Sequence, residues 1–95
     1  MSLRFEWHAR KALTNQVKHK VSFEEAMTVF NDPLARIFDD PNHSLTESRE
    51  IIIGFSQKQW LLIVCFAERS DAVHIISARK ATKLDRQDYE ETRSS

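Results

Sequence analysis

The sequence predicts an α+β fold in the order β-α-α-β-β-β-β-α, with a twisted antiparallel sheet packed against helices. Two helix starts are marked by capping boxes, in which a hydroxyl residue precedes an acid by three positions: Ser22 with Glu25, and Thr82 with Asp85. Three apolar runs have the length and composition of buried strands, and short polar connections join them as hairpins. These signals predict helices resting on a sheet built from a meander.

The first strand and the first helix are predicted from side-chain periodicity. Residues 3–7 alternate apolar and polar side chains, which is typical of a short, half-buried strand. Residues 8–17 predict a helix with a basic polar side. The apolar stripe expected to face the core comprises Ala9, Ala12, Leu13, Gln16 and Val17.

The second helix is predicted over residues 22–31. Ser22 and Glu25 begin it by satisfying backbone N–H groups that have no partner within the helix. Pro33 ends it, because proline disfavours helical geometry at the residue before it and cannot donate a helix hydrogen bond.

The rest of the chain predicts the sheet and a terminal helix. In chain order we expect a weak strand over 34–38, a polar loop over 39–48, strands over 49–55, 60–68 and 73–79, and a helix over 82–91. The connections over 56–59 and 69–71 are short enough for hairpins.

Length and composition predict one domain over residues 1–95, with 41% hydrophobic residues and a single glycine. No apolar leader or membrane-spanning run is visible, so we expect a cytoplasmic protein without a membrane partner. The zero net charge argues against a purely electrostatic nucleic-acid binder. Charge is nevertheless segregated: residues 1–20 carry five Lys or Arg against one acid, and residues 21–50 carry two against seven.

Cofactor chemistry is not predicted. Gly54 is the only glycine, so the chain has no glycine-rich phosphate loop. Cys65 lies within an apolar strand, where burial disfavours a reactive thiolate. The four histidines have no spacing typical of a zinc site: His8, His19, His43 and His74.

Charged residues at the strand ends are the remaining candidates for chemistry. A four-residue connection over 56–59 places Arg49 opposite Phe66 and on the same face as Glu68. A two-residue turn in the next hairpin adds Arg79 to that face, whereas a three-residue turn puts Arg79 on the other. Carboxylate and guanidinium groups near an imidazole could cleave RNA, with a base taking the 2′-hydroxyl proton and cations stabilising the phosphorane. The alternative is a set of strand-end salt bridges.

Two long motifs and several shorter ones resemble the BrnT family of bacterial type II toxins, from about residue 5 to residue 90. The longer motifs are Lys18-His19-x-Val21-Ser22-Phe23-Glu24-Glu25-Ala26 and Ile75-Ile76-Ser77-Ala78-Arg79-x-Ala81-Thr82. The shorter ones are Phe5-x-Trp7, Lys11, Asn15, Phe30-x-Asp32-Pro33, Arg49-x-Ile51-x-Ile53-Gly54, Glu68-Arg69 and Tyr89-Glu90. The resemblance implies a RelE-like fold and metal-independent cleavage of mRNA, which inhibits translation.

The same resemblance implies partners and site residues. The partners are RNA and a BrnA-type ribbon-helix-helix antitoxin, with a homodimer inside the toxin–antitoxin complex as one arrangement. The implied catalytic residues are Arg49 and Arg79 first, with Lys18, as stabilisers of phosphate charge, and His19 or Glu68 for proton transfer. The candidate RNA-binding residues are Lys11, Lys20, Arg69, Lys80 and Trp7, although Trp7 has packing at the core or its margin as an alternative to stacking on a base.

Three positions depart from the family pattern. His8 stands where the family commonly has Asp, Lys20 where it commonly has Gly, and His74 where it often has Arg. These changes support an alternative hypothesis, a catalytically weakened toxin-fold protein that acts as an antitoxin-binding module. A third hypothesis, a DNA-binding regulator acting alone, is disfavoured by the neutral charge and by the lack of a helix-turn-helix signal.

Overall fold

The computed structural model describes residues 3–40 and 48–94, and it confirms the α+β class and the predicted order of elements. The part of the predicted polar loop over 41–47 lies outside the described residues. The elements are β1 Arg4–Trp7, α1 Ala9–His19, α2 Phe23–Thr28 with a 3-10 turn Val29–Asn31, β2 Arg36–Asp39, β3 Glu50–Phe55, β4 Leu61–Arg69, β5 Ala72–Lys80 and α3 Lys83–Ser94. No helix in these ranges is long and apolar enough to cross a bilayer.

The five strands form one sheet in the order β1-β5-β4-β3-β2. The pairs β2–β3, β3–β4 and β4–β5 are antiparallel, which confirms the predicted meander. The prediction of a purely antiparallel sheet is wrong for β1, which pairs in parallel with β5. A parallel pair needs a long crossover, and the whole chain between β1 and β5 supplies it.

The two faces of the sheet have different coverings. The back face is covered by α2, whose Phe23 and Ala26 are fully buried against Val64 and Ile75. The front face carries α3 at one end, where Tyr89 packs on a smaller apolar cluster that includes Ile53 and Leu61. The main core therefore lies behind the sheet, and part of the front face is left for polar side chains.

The orientation of α1 differs from the predicted one. Leu13 is 70% exposed and Val17 is 72% exposed, although both belong to the stripe expected to face the core. The side of α1 that faces the sheet instead carries Ala12, Asn15 and His19, of which Asn15 is buried. A polar residue thus occupies the centre of the packed face, and of the predicted stripe Ala12 packs inward whereas Leu13 and Val17 face outward.

Hydrogen bonds between Asn15 and backbone groups explain the orientation of α1. The Asn15 Nδ2 donates to the carbonyls of Val21 (2.9 Å) and Ala78 (2.8 Å), and its Oδ1 accepts from the Ala78 N–H (3.0 Å). Because β1 ends opposite Ile75, no strand among residues 3–40 and 48–94 pairs with the outer edge of β5 beyond that point. Asn15 pairs with the edge at Ala78, which stabilises the packing of α1 there.

The two capping boxes form to different extents. At α2, the Ser22 Oγ accepts from the Glu25 N–H at 3.0 Å, but the Glu25 carboxylate accepts from the Lys58 N–H at 2.9 Å instead of returning to the cap. At α3, the Thr82 Oγ1 accepts from the Asp85 N–H and the Asp85 Oδ2 accepts from the Thr82 N–H, so the box is complete.

Candidate active site

The connection between β3 and β4 is one residue longer than predicted, and this changes the face on which Arg49 lies. Phe55 pairs with Leu61, so residues 56–60 form the loop. Continuing this register places Arg49 opposite Ala67 and not opposite Phe66. A shift of one residue moves a side chain to the other face of a sheet. The predicted placement of Arg49 beside Glu68 is therefore wrong.

The longer loop is held by α2. The Glu25 Oε2 accepts from the Lys58 N–H, and the Thr28 Oγ1 accepts from the Gln57 N–H at 2.8 Å. Burial alone would raise the pKa of Glu25, but hydrogen bonds from the Ser56 hydroxyl and the Lys58 N–H lower it below its ordinary value. Glu25, which the sequence predicts as part of a helix cap, thus holds the loop that determines the register between β3 and β4.

The hairpin between β4 and β5 has a two-residue turn, which in a regular ladder would put Arg79 on the same face as Glu68. Arg69 pairs with Ala72, and Glu68 pairs with Val73. Further along, the register shifts at a bulge, since Cys65 pairs with Ser77 whereas Phe66 pairs with Ile75. The extra residue reverses the alternation of side chains along β5 beyond this point.

The longer β3–β4 loop and the β4–β5 bulge together decide which charged residues share a face. Arg79 pairs with Ile63 on the front face, and Arg49 lies on the same face. Glu68 shares the back face with Phe66 and Val73. The expected pocket formed by Arg49, Glu68 and Arg79 does not exist, but the two arginines share one face of the sheet.

Arg79 lies where the front face meets α3. Its Nη1 donates to the Asp85 Oδ2 at 2.8 Å. This bond, together with the hydrogen bonds from Thr82, lowers the pKa of Asp85 to about 2 although burial opposes the shift. The pair lies on the rim of a cavity of about 360 Å³ whose other lining residues are mainly apolar and include Ile53, Ile63 and Tyr89.

Arg49 lies at the other end of the front face. The Asp40 N–H donates to the Arg49 carbonyl at 2.9 Å, so the β2–β3 ladder continues and places the two side chains opposite each other. Asp40 is buried, and its Oδ2 lies 3.4 Å from the Sγ of Cys65. Arg49 and Arg79 are aligned with β4 positions four residues apart, about 13 Å along the strand. Arg49 and Arg79 are therefore two separate positive charges on the front face.

The remaining catalytic candidates lie on other elements. Lys18 and His19 are in the last turn of α1, about one helical turn after Asn15, which binds the outer edge of β5 at Ala78. Glu68 lies on the back face near Glu50 and Asp39, which share that face by strand alternation. Burial raises the pKa of Glu50, and repulsion from Glu68 and Asp39 adds to the shift.

The RNA-binding candidates are dispersed. Trp7 packs edge-on against Phe23, with ring centroids 6.0 Å apart, and belongs to the margin of the core. Lys80 places its Nζ 4.1 Å from the centroid of the Trp60 ring, a cation–π contact. Arg69 is exposed at the end of β4.

Lys11 and Lys20, the two RNA-binding candidates on or directly after α1, are exposed. Lys11 projects from α1. Lys20 follows α1 in a left-handed conformation (φ 62°), and its Nζ donates to the Val17 carbonyl at 3.0 Å. A lysine therefore takes the helix-ending geometry that glycine adopts most readily.

The front face also contains a pair that the sequence did not single out. His74 on β5 and Glu6 on β1 are neighbours in the parallel pair, with 3.1 Å between His74 Nδ1 and Glu6 Oε2. The alternation over 3–7 identifies Glu6 as a polar-side residue, but the parallel pairing of β1 with β5 has no local signal. The His74 side chain is 13% exposed.

Comparison with known proteins decides the family. A family model described as the ribonuclease toxin BrnT of type II toxin–antitoxin systems matches residues 7–85. The chain belongs to the BrnT family. Its fold is similar to the 1.1 Å crystal structure of the Brucella abortus ribonuclease toxin BrnT, with a TM-score of 0.68 and 22% sequence identity over 86% of this chain and 100% of that one. No curated protein matches the chain.

Membership in the BrnT family makes this chain a ribonuclease toxin of a type II toxin–antitoxin system. RNA is then the substrate class, and an antitoxin is the expected partner. Both arginines of the front face lie within the matched residues.

Proposed function

We propose that this BrnT-family chain is a metal-independent endoribonuclease that cleaves mRNA on the front face of its sheet and so inhibits translation. The observation that carries the proposal is the placement of Arg49 and Arg79 on one face of the sheet, where Arg79 lines a cavity of about 360 Å³. Guanidinium groups bind phosphate through paired N–H donors and stabilise the charge that develops on phosphorus during cleavage.

The two cations have different surroundings. Arg79 is 42% exposed and lines the cavity, and its Nη1 is held by Asp85, which fixes the guanidinium. Arg49 is half-buried, and its Nε is shielded from solvent. We assign the reacting phosphate to Arg49, because charge stabilisation is stronger where water is excluded. We assign a neighbouring phosphate of the same extended strand to Arg79.

The first experiment measures cleavage of an mRNA transcript by the purified chain in the presence of EDTA. Arg49→Ala is expected to lower the rate about 100-fold, with partial activity in Arg49→Lys. Arg10→Ala, an exposed arginine on α1, is the matched control and should cleave at the wild-type rate. An unchanged rate in Arg49→Ala would remove Arg49 from the site, and cleavage that stops in EDTA would contradict metal independence.

Arg79 requires a separate control because it also stabilises the start of α3. Asp85→Asn removes the charge of the partner while leaving Arg79 in place. If Arg79 binds RNA, Arg79→Ala should lower cleavage at least tenfold further than Asp85→Asn does. Equal losses in the two variants would assign Arg79 to folding alone.

A second candidate is a catalytically weakened toxin-fold protein that binds the antitoxin. It is favoured by the placement of Glu68 on the face opposite the two arginines. Expression without an antitoxin distinguishes the two functions, since an active toxin arrests growth and a binding module does not. We further propose a BrnA-type ribbon-helix-helix antitoxin, with a toxin dimer in the complex. Co-purification with the product of the neighbouring reading frame, followed by mass measurement of the complex, tests both.

A further inference from the structure

The pair formed by Glu6 and His74 has the geometry of an oriented imidazole. His74 Nδ1 lies 3.1 Å from Glu6 Oε2, and the side chains are 13% and 43% exposed, respectively. An ionised carboxylate only accepts hydrogen bonds, so Nδ1 carries the proton in this contact. The Nε2 of a neutral ring then has a lone pair available to accept a proton.

The position of the pair on the sheet relates it to Arg49. Strand register places Glu6, His74 and Ala67 in one row across the front face, and continuing the row across β3 reaches Arg49. His74 and Arg49 are therefore separated by a single strand position, about 10 Å between backbones. That position is occupied by Ala67, which is fully buried and places only a methyl group between the two longer side chains.

We propose that Glu6 and His74 form the proton-transfer pair of the front-face site, with His74 as the general base and Glu6 as the residue that positions it. This inference rests on the proposed ribonuclease function. It assigns the proton-transfer role to His74 in place of Glu68, which lies on the back face, and of His19, which belongs to α1 and not to the sheet.

The reaction that the pair supports is an internal transesterification of RNA. His74 Nε2 accepts the proton of a 2′-hydroxyl as the 2′-oxygen bonds to the adjacent phosphorus. The bond from phosphorus to the 5′-oxygen of the next nucleotide breaks, and that oxygen takes a proton from water. The products are a 2′,3′-cyclic phosphate and a 5′-hydroxyl, and Arg49 stabilises the negative charge on the pentacoordinate phosphorus. No external nucleophile is consumed.

Several charged groups share the front face with His74. They lie on or beside every strand around it: Glu6 and Arg4 on β1, Arg69 on β4, Arg49 before β3 and Asp40 after β2. Arg4 is engaged by Asp71 at 2.9 Å in an exposed ion pair. That ion pair joins the same two chain segments as the Glu6–His74 pair and provides a matched control.

The test compares cleavage rates of His74→Ala, His74→Gln, Glu6→Ala, Glu6→Gln and the control Asp71→Asn. His74→Ala should lower the rate about 100-fold or more, and free imidazole in the buffer should restore part of it. Glu6→Gln retains an acceptor for Nδ1 and should be less impaired than Glu6→Ala. The wild-type rate should fall at acid pH as the base becomes protonated, and His74→Gln should lose this dependence. Asp71→Asn should match the wild type.

The outcomes separate this inference from the proposed function. If Arg49→Ala loses activity while His74→Ala keeps at least half of it, the ribonuclease site stands and the Glu6–His74 assignment is overturned. A loss in His74→Ala that imidazole does not restore, with the acid dependence still present in His74→Gln, would mean a structural role and would also overturn it. If the wild type does not cleave RNA at all, both proposals are overturned.

Discussion

Asp85 shows how one carboxylate can link the start of a helix to the functional face. Its Oδ2 accepts from Arg79 at 2.8 Å, from the Thr82 N–H at 2.9 Å and from the Thr82 hydroxyl at 2.9 Å. Three donors to one oxygen favour the ionised form. The capping residue of α3 is thereby also the residue that orients Arg79.

The lowered pKa of Asp85 predicts a pH-dependent contribution to stability. The shift from 3.8 to about 2 stabilises the folded chain above the unfolded pKa, and the contribution is lost as pH falls from about 4 to 2. Because Arg79 is 42% exposed and the pair is screened, we expect Asp85→Asn to lower the free energy of unfolding by about 1 to 2 kcal/mol at pH 7. Urea unfolding of both proteins between pH 7 and pH 2 measures this. A difference that does not shrink toward pH 2 would contradict it.

Asn15 is the second residue whose role depends on several hydrogen bonds. It is 6% exposed and binds the Val21 carbonyl and both backbone groups of Ala78. Asn15→Ala would leave these buried backbone groups without partners, and we expect a loss of about 3 kcal/mol in the free energy of unfolding. Its exposed neighbour Gln16→Ala is the control and should change stability by less than about 0.5 kcal/mol. Similar urea midpoints for the two variants would show that Asn15 does not hold α1 to the sheet.

At the scale of elements, the close packing of β3 against the chain after α2 explains the only glycine. A Cβ at Gly54 would lie 2.8 Å from the Ala35 Cβ, 3.0 Å from the Asp32 Oδ2 and 3.2 Å from the Val29 Cγ1. The Asp32 Oδ2 is already fixed by accepting from the Phe55 N–H at 2.8 Å. The strand therefore approaches the 3-10 turn and the segment after it closely because position 54 has no side chain.

This contact predicts a steric effect that a second substitution relieves. We expect Gly54→Ala to destabilise the chain by about 1 to 3 kcal/mol through overpacking. Adding Ala35→Gly to Gly54→Ala should recover part of the loss, because it removes the nearest atom. Thermal or urea unfolding of the two single variants and the double variant gives the coupling energy. Strictly additive effects would contradict a direct contact between positions 35 and 54.

At the scale of the whole molecule, the sheet separates the acidic groups near Glu68 from the front face that carries Arg49 and Arg79. Glu68 lies on the same side as Val73, whereas Arg49 and Arg79 lie on the other. Glu68→Gln is therefore expected to leave the rate of mRNA cleavage within about twofold of wild type, in contrast to Arg49→Ala. A loss comparable to that of Arg49→Ala would show that substrate reaches the back face, and it would contradict the assignment of the site to the front face.

Local sequence predicted most of the elements because their signals are local. Capping residues, alternating side chains and short polar turns depend on neighbours within a few positions, so helix starts at Ser22 and Thr82 and the meander over β3, β4 and β5 agree with the structure. The fold class and the BrnT resemblance are likewise supported. Two local signals failed. Burial on α1 follows the Asn15 contacts with β5 and not the apolar stripe, and the connection predicted over 56–59 is one residue longer.

The location of each side chain on the sheet was decided only by tertiary structure. Three features depend on contacts between residues far apart in the chain. They are the parallel pairing of β1, the five-residue loop fixed by Glu25, and the bulge at the Cys65–Phe66 step. Since side chains alternate every residue along a strand, one extra residue in a loop or bulge reverses the face on which every following side chain lies. The sequence by itself determined the elements and the family, and the tertiary contacts decided that Arg49, Arg79 and His74 share a face without Glu68.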